Sequence, residues 1–430
     1  MAREEEGTDV MAPKLLGVRH SWLAPLLLAM PGFIACGGGD DSAPNGSGGT
    51  ISAGGRSSGG SSGKPDAGDA GASGANDTPG GEAGAPSTSG SGGTSGTDGG
   101  GANGGGDVGA AGAADQPPSC AAGGITLNCG PDAESCCSSL VVPGGQFLRS
   151  YDGVSTGFQN ANAPASVTSF RLDKYEVTVG RFRSFVSAVV GSWRPAAGSG
   201  KREELNLGMG RVNVGPDGGN EPGWDAAWDA NLGSTAAAWN TNLGCSSSSS
   251  TWTAKAGTNE QLPITCVDWY EALAFCIWDG GTLPTEAEWN EAAAGGPEQR
   301  VFPWSAPPMS LTIDCAHANY FGASGPDYCV SPAKMGAVNP VGSESPAGDG
   351  RWGQADMAGN VFEWVLDSYA DSYSPSCPDC VYADSSADHV IRGGGYNNAS
   401  SFLLSSFRTA NHADGRGGNS GLRCARVLGQ

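Results

Sequence analysis

The sequence predicts an α+β domain with little regular secondary structure, cross-linked by disulfides and carried behind a long unstructured leader. Three observations predict it. Short helices carry their own start and stop signals, strand-like runs are brief and separated by long polar loops, and cysteine is frequent for a reducing compartment. The chain has 430 residues, of which 72 are glycine and 13 are cysteine.

Glycine is densest between Gly37 and Gly112, where Leu, Ile, Val and aromatic residues almost vanish. Without apolar surface to bury, such a segment cannot offset the entropy of ordering its backbone. About three hundred residues remain for a core, enough for one large domain or two small ones. The formal net charge of −21 argues against nucleic acid, whose phosphates need a basic footprint, and fits poorly on anionic lipid.

Lys14 and Arg19 precede the apolar run Trp22 to Met30. A basic start followed by a short apolar stretch is an export signal, too short and too interrupted by Pro25 to span a bilayer. The acidic residues at 4–6 sit badly in such a signal, so translation starting at Met11 is expected. Phe33-Ile34-Ala35-Cys36, followed by glycines, resembles a bacterial lipobox with Phe33 in place of Leu. Cys36 is therefore the expected lipidation site, giving an extracytoplasmic protein anchored to a bacterial membrane. Residues 37–118 read as a flexible coil with a root-mean-square reach of roughly 50 Å.

Residues 119–140 hold Cys120, Cys129, Cys136 and Cys137 in a polar segment with little core of its own, a small two-disulfide cap on the domain at 141–430. Residues 141–147 read as a strand entering a turn, and residues 170–177 alternate with the strand period. Thr178 then reads as a helix N-cap, with Phe182, Phe185, Val186 and Val189 at helical spacing. Residues 191–260 read as loop with scattered tryptophans. Two capped helices follow: Asp268 and Glu271 open the first and Gly280 ends it, while Thr285 and Glu288 open the second and Gly295 ends it. Beyond them the pattern is short strands and long loops, which need cross-links or bound ions to be rigid.

Setting Cys36 aside leaves twelve cysteines, an even number that permits six disulfides. The one Cys-x-x-Cys, Cys377 to Cys380, has no second pair or histidine at zinc-ligand spacing.

Several motifs occur in order: Val-Val-Pro-Gly-Gly at 141–145, Asp-Lys-Tyr-Glu-Val-Thr at 173–178 and Leu-Pro-Ile-Thr-Cys-Val-Asp-Trp at 262–269. Leu-Pro-Thr-Glu-Ala-Glu-Trp follows at 283–289 and Phe-Pro-Trp at 302–304. Met-Ala-Gly-Asn-Val-Phe-Glu-Trp at 357–364, Ile-Arg-Gly-Gly at 391–394 and Gly-Leu-Arg-Cys-Ala at 421–425 complete the series. Together they resemble the formylglycine-generating-enzyme family of sulfatase-modifying-factor domains. The resemblance implies a C-type-lectin-like fold and a long-range disulfide between Cys276 and Cys424. Proximity suggests the other pairs: Cys245 with Cys266, Cys315 with Cys329, Cys377 with Cys380, and two among the first four.

The family oxidises a sulfatase cysteine to formylglycine with copper held by two cysteines, since soft thiolates suit Cu(I). In the family both follow the Arg-Gly-Gly motif and precede the final Gly-x-Arg-Cys. Here the interval from Gly395 to Arg423 contains no cysteine, so no matching copper site and no catalytic residue are expected. Ergothioneine- and ovothiol-forming relatives use a histidine cluster on an added helical domain. The histidines here, His20, His317, His389 and His412, do not follow that pattern.

The resemblance also implies calcium at Asp356, Gly359, Val361 and Glu363, two carboxylates with backbone carbonyls between them. Asn319 and Tyr320 resemble the start of a second calcium site whose other half would lie near Asp327. The loop at 396–420 takes the place of the family's peptide-binding cleft. There Tyr396, Asn398, Arg408, Asn411, His412 and Arg416 are candidate contacts to a polar ligand, a peptide or glycan. These residues point to a monomeric, calcium-stabilised binding or scaffolding module, with a divergent formylglycine-generating oxidase or another metal-dependent oxidase as the alternative.

Overall fold

Thr178 opens the first helix as its side chain accepts the N–H of Arg181, and α1 (Val179–Val190) then buries Phe182, Phe185, Val186 and Val189. The fold is described here from a computed structural model for residues 116–121, 128–246, 248–322, 328–330, 337–385 and 388–429. Cys36, the leader, most of the linker and Asp327 lie outside the described residues.

The Cys-rich segment forms the hairpin β1 (Asn128–Cys129) and β2 (Glu134–Ser135), closed by Cys129–Cys136 and Cys120–Cys137. It docks through Arg181, which donates to Ser119 Oγ at 3.0 Å and to the Cys136 carbonyl at 3.3 Å, and through the ion pair of Glu134 with Lys174. Next come β3 (Ser139–Val142), β4 (Gly145–Leu148), β5 (Pro164–Val167) and β6 (Phe170–Asp173). The strand expected at 141–147 is thus two strands broken at Pro143-Gly144, where proline cannot donate to a ladder.

Residues 191–260 are mostly loop, as the composition suggests, with β7 (Val212–Asn213) and a second helix, α2 (Ala236–Asn242). The sequence reading missed α2. Thr235 caps it by accepting the N–H of Ala238, and Trp239 is its buried anchor. The ring of Trp239 meets Phe182 and Phe185 edge-on at 5.9 and 5.8 Å, and Phe182 stacks on Phe275 at 5.4 Å.

The two capping boxes form as read. Asp268 and Glu271 exchange bonds at the start of α3 (Trp269–Trp278), and Thr285 and Glu288 do so at α4 (Glu286–Ala294). Gly295 ends α4 at φ +66°, a left-handed turn that a Cβ would strain. Both helices contact β8 (Phe362–Ser368).

After β8 come β9 (Cys377–Pro378), β10 (Cys380–Val381), β11 (Asp388–Arg392), β12 (Thr409–His412), β13 (Ser420–Gly421) and β14 (Ala425–Arg426). The largest sheet runs β12-β11-β8-β13, with β13 parallel to β8 and the other pairs antiparallel. Two three-stranded sheets, β14-β6-β3 and β4-β5-β9, complete the frame with the parallel pair β10-β7.

The twelve cysteines among the described residues are all paired. Cys276 of α3 joins Cys424 just before β14, across 148 residues. In the chain-entropy model closing so long a loop contributes about 5 kcal/mol. Cys245–Cys266, Cys315–Cys329 and Cys377–Cys380 are shorter staples on loops. Among the described residues no helix is long and apolar enough to cross a membrane.

Candidate functional site

The loop entering β8 folds tightly because Asp356 and Asn360 both adopt positive φ, at +55° and +57°, on either side of Gly359 at +89°. A Cβ on Gly359 would meet the Asn319 carbonyl at 2.7 Å, so glycine lets the two expected calcium segments touch. Asn360 N–H donates to the Asn319 carbonyl at 2.9 Å, and Asn319 Nδ2 donates to Asn360 Oδ1 at 3.2 Å. Tyr320 is buried beside the Cys315–Cys329 loop, its carbonyl accepting the Cys329 N–H.

Glu363 is fully buried and already spoken for. Arg423 Nε donates to both its oxygens at 2.8 Å, Arg423 Nη2 adds a bond of 2.6 Å, and Trp289 Nε1 donates at 2.8 Å. The remaining guanidinium hydrogens reach the carbonyls of Asp173, Lys174 and Ala355. Of the four residues expected to hold calcium, Glu363 therefore has a guanidinium where a cation would sit on its carboxylate.

Two acids absent from the expected set stand beside Asp356. Glu176 accepts from Asn360 Nδ2 at 2.7 Å and from Val361 N–H at 3.2 Å. Glu344 accepts from Asn339 Nδ2 at 2.6 Å, and its buried carboxyl lies against that of Asp356. Asp356 itself accepts the Gly342 N–H at 2.6 Å. Burial, then the neighbouring charges of Asp356 and Glu363, holds Glu176 well above the usual carboxyl range. Burial likewise pushes Asp356 up to about 6 and Glu344, with the charge of Asp356 added, up to about 8.

The donor chemistry fits calcium in part. The paired carboxyls of Asp356 and Glu344 and the carbonyls of Gly359 and Val361 are hard oxygen donors, as calcium requires. Among the described residues no three acidic, histidine or cysteine side chains form a metal cluster, so carbonyls would carry most of the shell. Sequence spacing gives no hint of Glu344, because it lies in a separate loop twelve residues before Asp356.

The expected cleft loop is largely committed to the frame. Arg408 grips Glu286 at 2.8 and 2.9 Å and lies over the rings of Tyr369 and Tyr373 at 4.6 Å. Arg416 donates to Asp268 at 2.6 Å and to Glu271 at 2.5 and 2.8 Å, clamping the α3 capping box. Both arginines expected to meet a ligand are thus engaged in ion pairs within the domain.

Asn398 closes a turn by accepting the Gly395 N–H at 3.0 Å, and Tyr396 is buried. Asn411 accepts the His412 N–H, and the exposed His412 lies 2.5 Å from Asp414. Leu403 and Leu404 pack inward, while Phe402 lies partly exposed against Phe407 at 4.9 Å. His317 lies with Asp314 and His389 on β11, and among the described residues they form no metal cluster with His412.

Capped helices on short sheets, six disulfides and a loop-built acidic site define an α+β domain organised around irregular backbone. The chain belongs to the sulfatase-modifying factor enzyme 1-like domain family, which matches residues 128–428. It is 31% identical over 302 residues to formylglycine-generating enzyme of Streptomyces coelicolor, covering 66% of this chain and 87% of that protein. It is 28% identical over 321 residues to formylglycine-generating enzyme of Mus musculus, covering 70% and 77%. The solved structure of PvdO from Pseudomonas aeruginosa matches 69% of this chain and all of that one, at 22% identity and a TM-score of 0.43.

Proposed function

We propose that this protein is an exported lipoprotein, tethered through a lipidated Cys36, whose sulfatase-modifying-factor domain binds a ligand and does not oxidise cysteine with copper. One observation carries the reading. Every cysteine among the described residues is in a disulfide, and the interval 395–423 supplies no thiol at all. A cuprous site needs free thiolates, and a disulfide sulfur is no substitute.

Calcium is the proposed resident ion, held by Asp356, Glu344 and the carbonyls of Gly359 and Val361. When bound it supplies positive charge to a cluster in which Arg423 balances only part of the acid. The residues themselves hold the β8 loop against the loops carrying Asn319 and Gly342. The ligand class proposed is a polar peptide or glycan, met by a monomeric domain at the cell envelope. With Arg408 and Arg416 engaged internally, contacts would fall to Asn411, His412 and Phe402.

The alternative is a divergent formylglycine generator or another metal-dependent oxidase, favoured by the relatives' names. A cuprous competition assay on the full chain separates the binding module from a copper-dependent formylglycine generator. Binding without oxidation predicts that a chromophoric chelator removes all copper. One equivalent of copper retained by the protein would overturn it.

A further inference from the structure

A cavity of about 210 Å³ opens at the far end of β8 from the acidic site. At one end of that strand Phe362 and Glu363 pair with Ser420 and Gly421. At the other, Ser368 pairs with His389 beside the cavity. Six residues of strand separate the ends, roughly 20 Å. The site is thus independent of the calcium and copper questions.

Its walls come from segments distant in sequence: Trp228 of the 191–260 loops, Trp269 and Tyr270 of α3, Leu366 of β8, Asp384 and His389. Trp228 meets Trp269 at 5.3 Å and 82°, and Trp269 meets Tyr270 at 5.4 Å and 82°. Rings joined edge to face turn their π-faces in different directions and make a corner instead of a flat platform. The volume exceeds the ~150 Å³ cavity that accepts benzene, so it suits one small organic group.

The electrostatics select its charge. Glu221 and Asp384 line the cavity, and among the described lining residues there is no Lys or Arg. Glu221 is largely balanced from outside the lining, since its carboxylate accepts Arg211 Nη1 at 2.7 Å and the backbone N–H groups of Arg211 and Arg202 at 3.1 and 3.3 Å. His389 is more than nine-tenths buried, stacks on Trp269 at 3.8 Å, and its Nδ1 has no hydrogen-bond partner. Burial pushes its pKa down to about 4, so it brings no positive charge at neutral pH. The chain's net charge of −21 adds an attractive field for cations and a repulsive one for anions.

We propose that this cavity binds a small organic cation with an apolar body, of the alkylammonium or quaternary-ammonium class. Because His389 covers a face of Trp269, the rings of Trp228 and Tyr270 are the ones to attract such a cation, while its methyl groups fill the apolar volume beside the acidic wall.

The test is calorimetric titration of the full chain with choline and with 3,3-dimethylbutan-1-ol, its neutral isostere. Choline is expected to bind about tenfold more tightly than the alcohol, the range of a desolvated cation–π contact. Trp228→Ala is expected to lower choline affinity about tenfold, and Trp228→Phe to restore most of it. Equal affinity for the two probes would overturn the cation assignment. No binding of either at millimolar concentration would overturn the site. The comparison of the two probes needs only the unmodified protein, so a misfolded variant leaves the test intact.

Discussion

Arg423 holds both carboxylate oxygens of Glu363 in a pair from which water is excluded. The pair joins β8 to the segment before β14, and through the Asp173, Lys174 and Ala355 carbonyls it also fixes the turn after β6. Removing one partner leaves a buried charge uncompensated. Arg423→Ala is expected to destabilise the domain by about 3–5 kcal/mol in urea unfolding. Replacing both by apolar residues should not restore stability, because three buried carbonyls still lose their donors. Full recovery in the double variant would show that the pair matters only to itself.

Calcium and pH should act on the same carboxyls. Asp356 and Glu344 have folded pKa values raised to about 6 and about 8, above their ordinary 3.8 and 4.5. The folded state therefore binds protons more tightly than the unfolded state, and stability falls as pH rises from about 4 to about 8. A bound cation replaces those protons. Calcium should raise the melting temperature more at pH 8 than at pH 5, and chelation should reverse it. Asp356→Ala should abolish the calcium response. A calcium effect independent of pH, or none, would remove this ion from the account.

The Cys276–Cys424 staple closes a loop of 148 residues. Replacing both cysteines with alanine is expected to lower stability by up to about 5 kcal/mol, mainly by freeing the unfolded chain. The short Cys377–Cys380 loop constrains far less chain, so its removal should cost well under that. Denaturant melts of the two double variants compare them directly. Equal losses would mean that local packing, not loop closure, sets their contribution.

How much of this was readable from residues follows the range of each interaction. The caps of α1, α3 and α4 were legible because Thr178, Asp268 and Thr285 each act three residues ahead. The helix α2 escaped notice because Thr235-Ala-Ala-Ala sits in a glycine- and serine-rich stretch, and its one apolar anchor, Trp239, makes no period. The acidic loop at 356–363 was legible as a motif, but Arg423 as the partner of Glu363 was not, because 60 residues lie between them. Arg408 and Glu286 are 122 residues apart, and Arg416 and Glu271 are 145 apart. A loop arginine reads as ligand-seeking when its partner is distant in the chain. The aromatic corner was invisible for the same reason, since Trp228 and Trp269 come together only through packing.

Binding without cysteine oxidation is tested by incubating the full chain with copper, oxygen and a cysteine-containing sulfatase peptide, then measuring formylglycine by mass spectrometry. No conversion above a protein-free control is expected, with the peptide cysteine intact. Multiple turnovers that depend on both copper and the protein would contradict it.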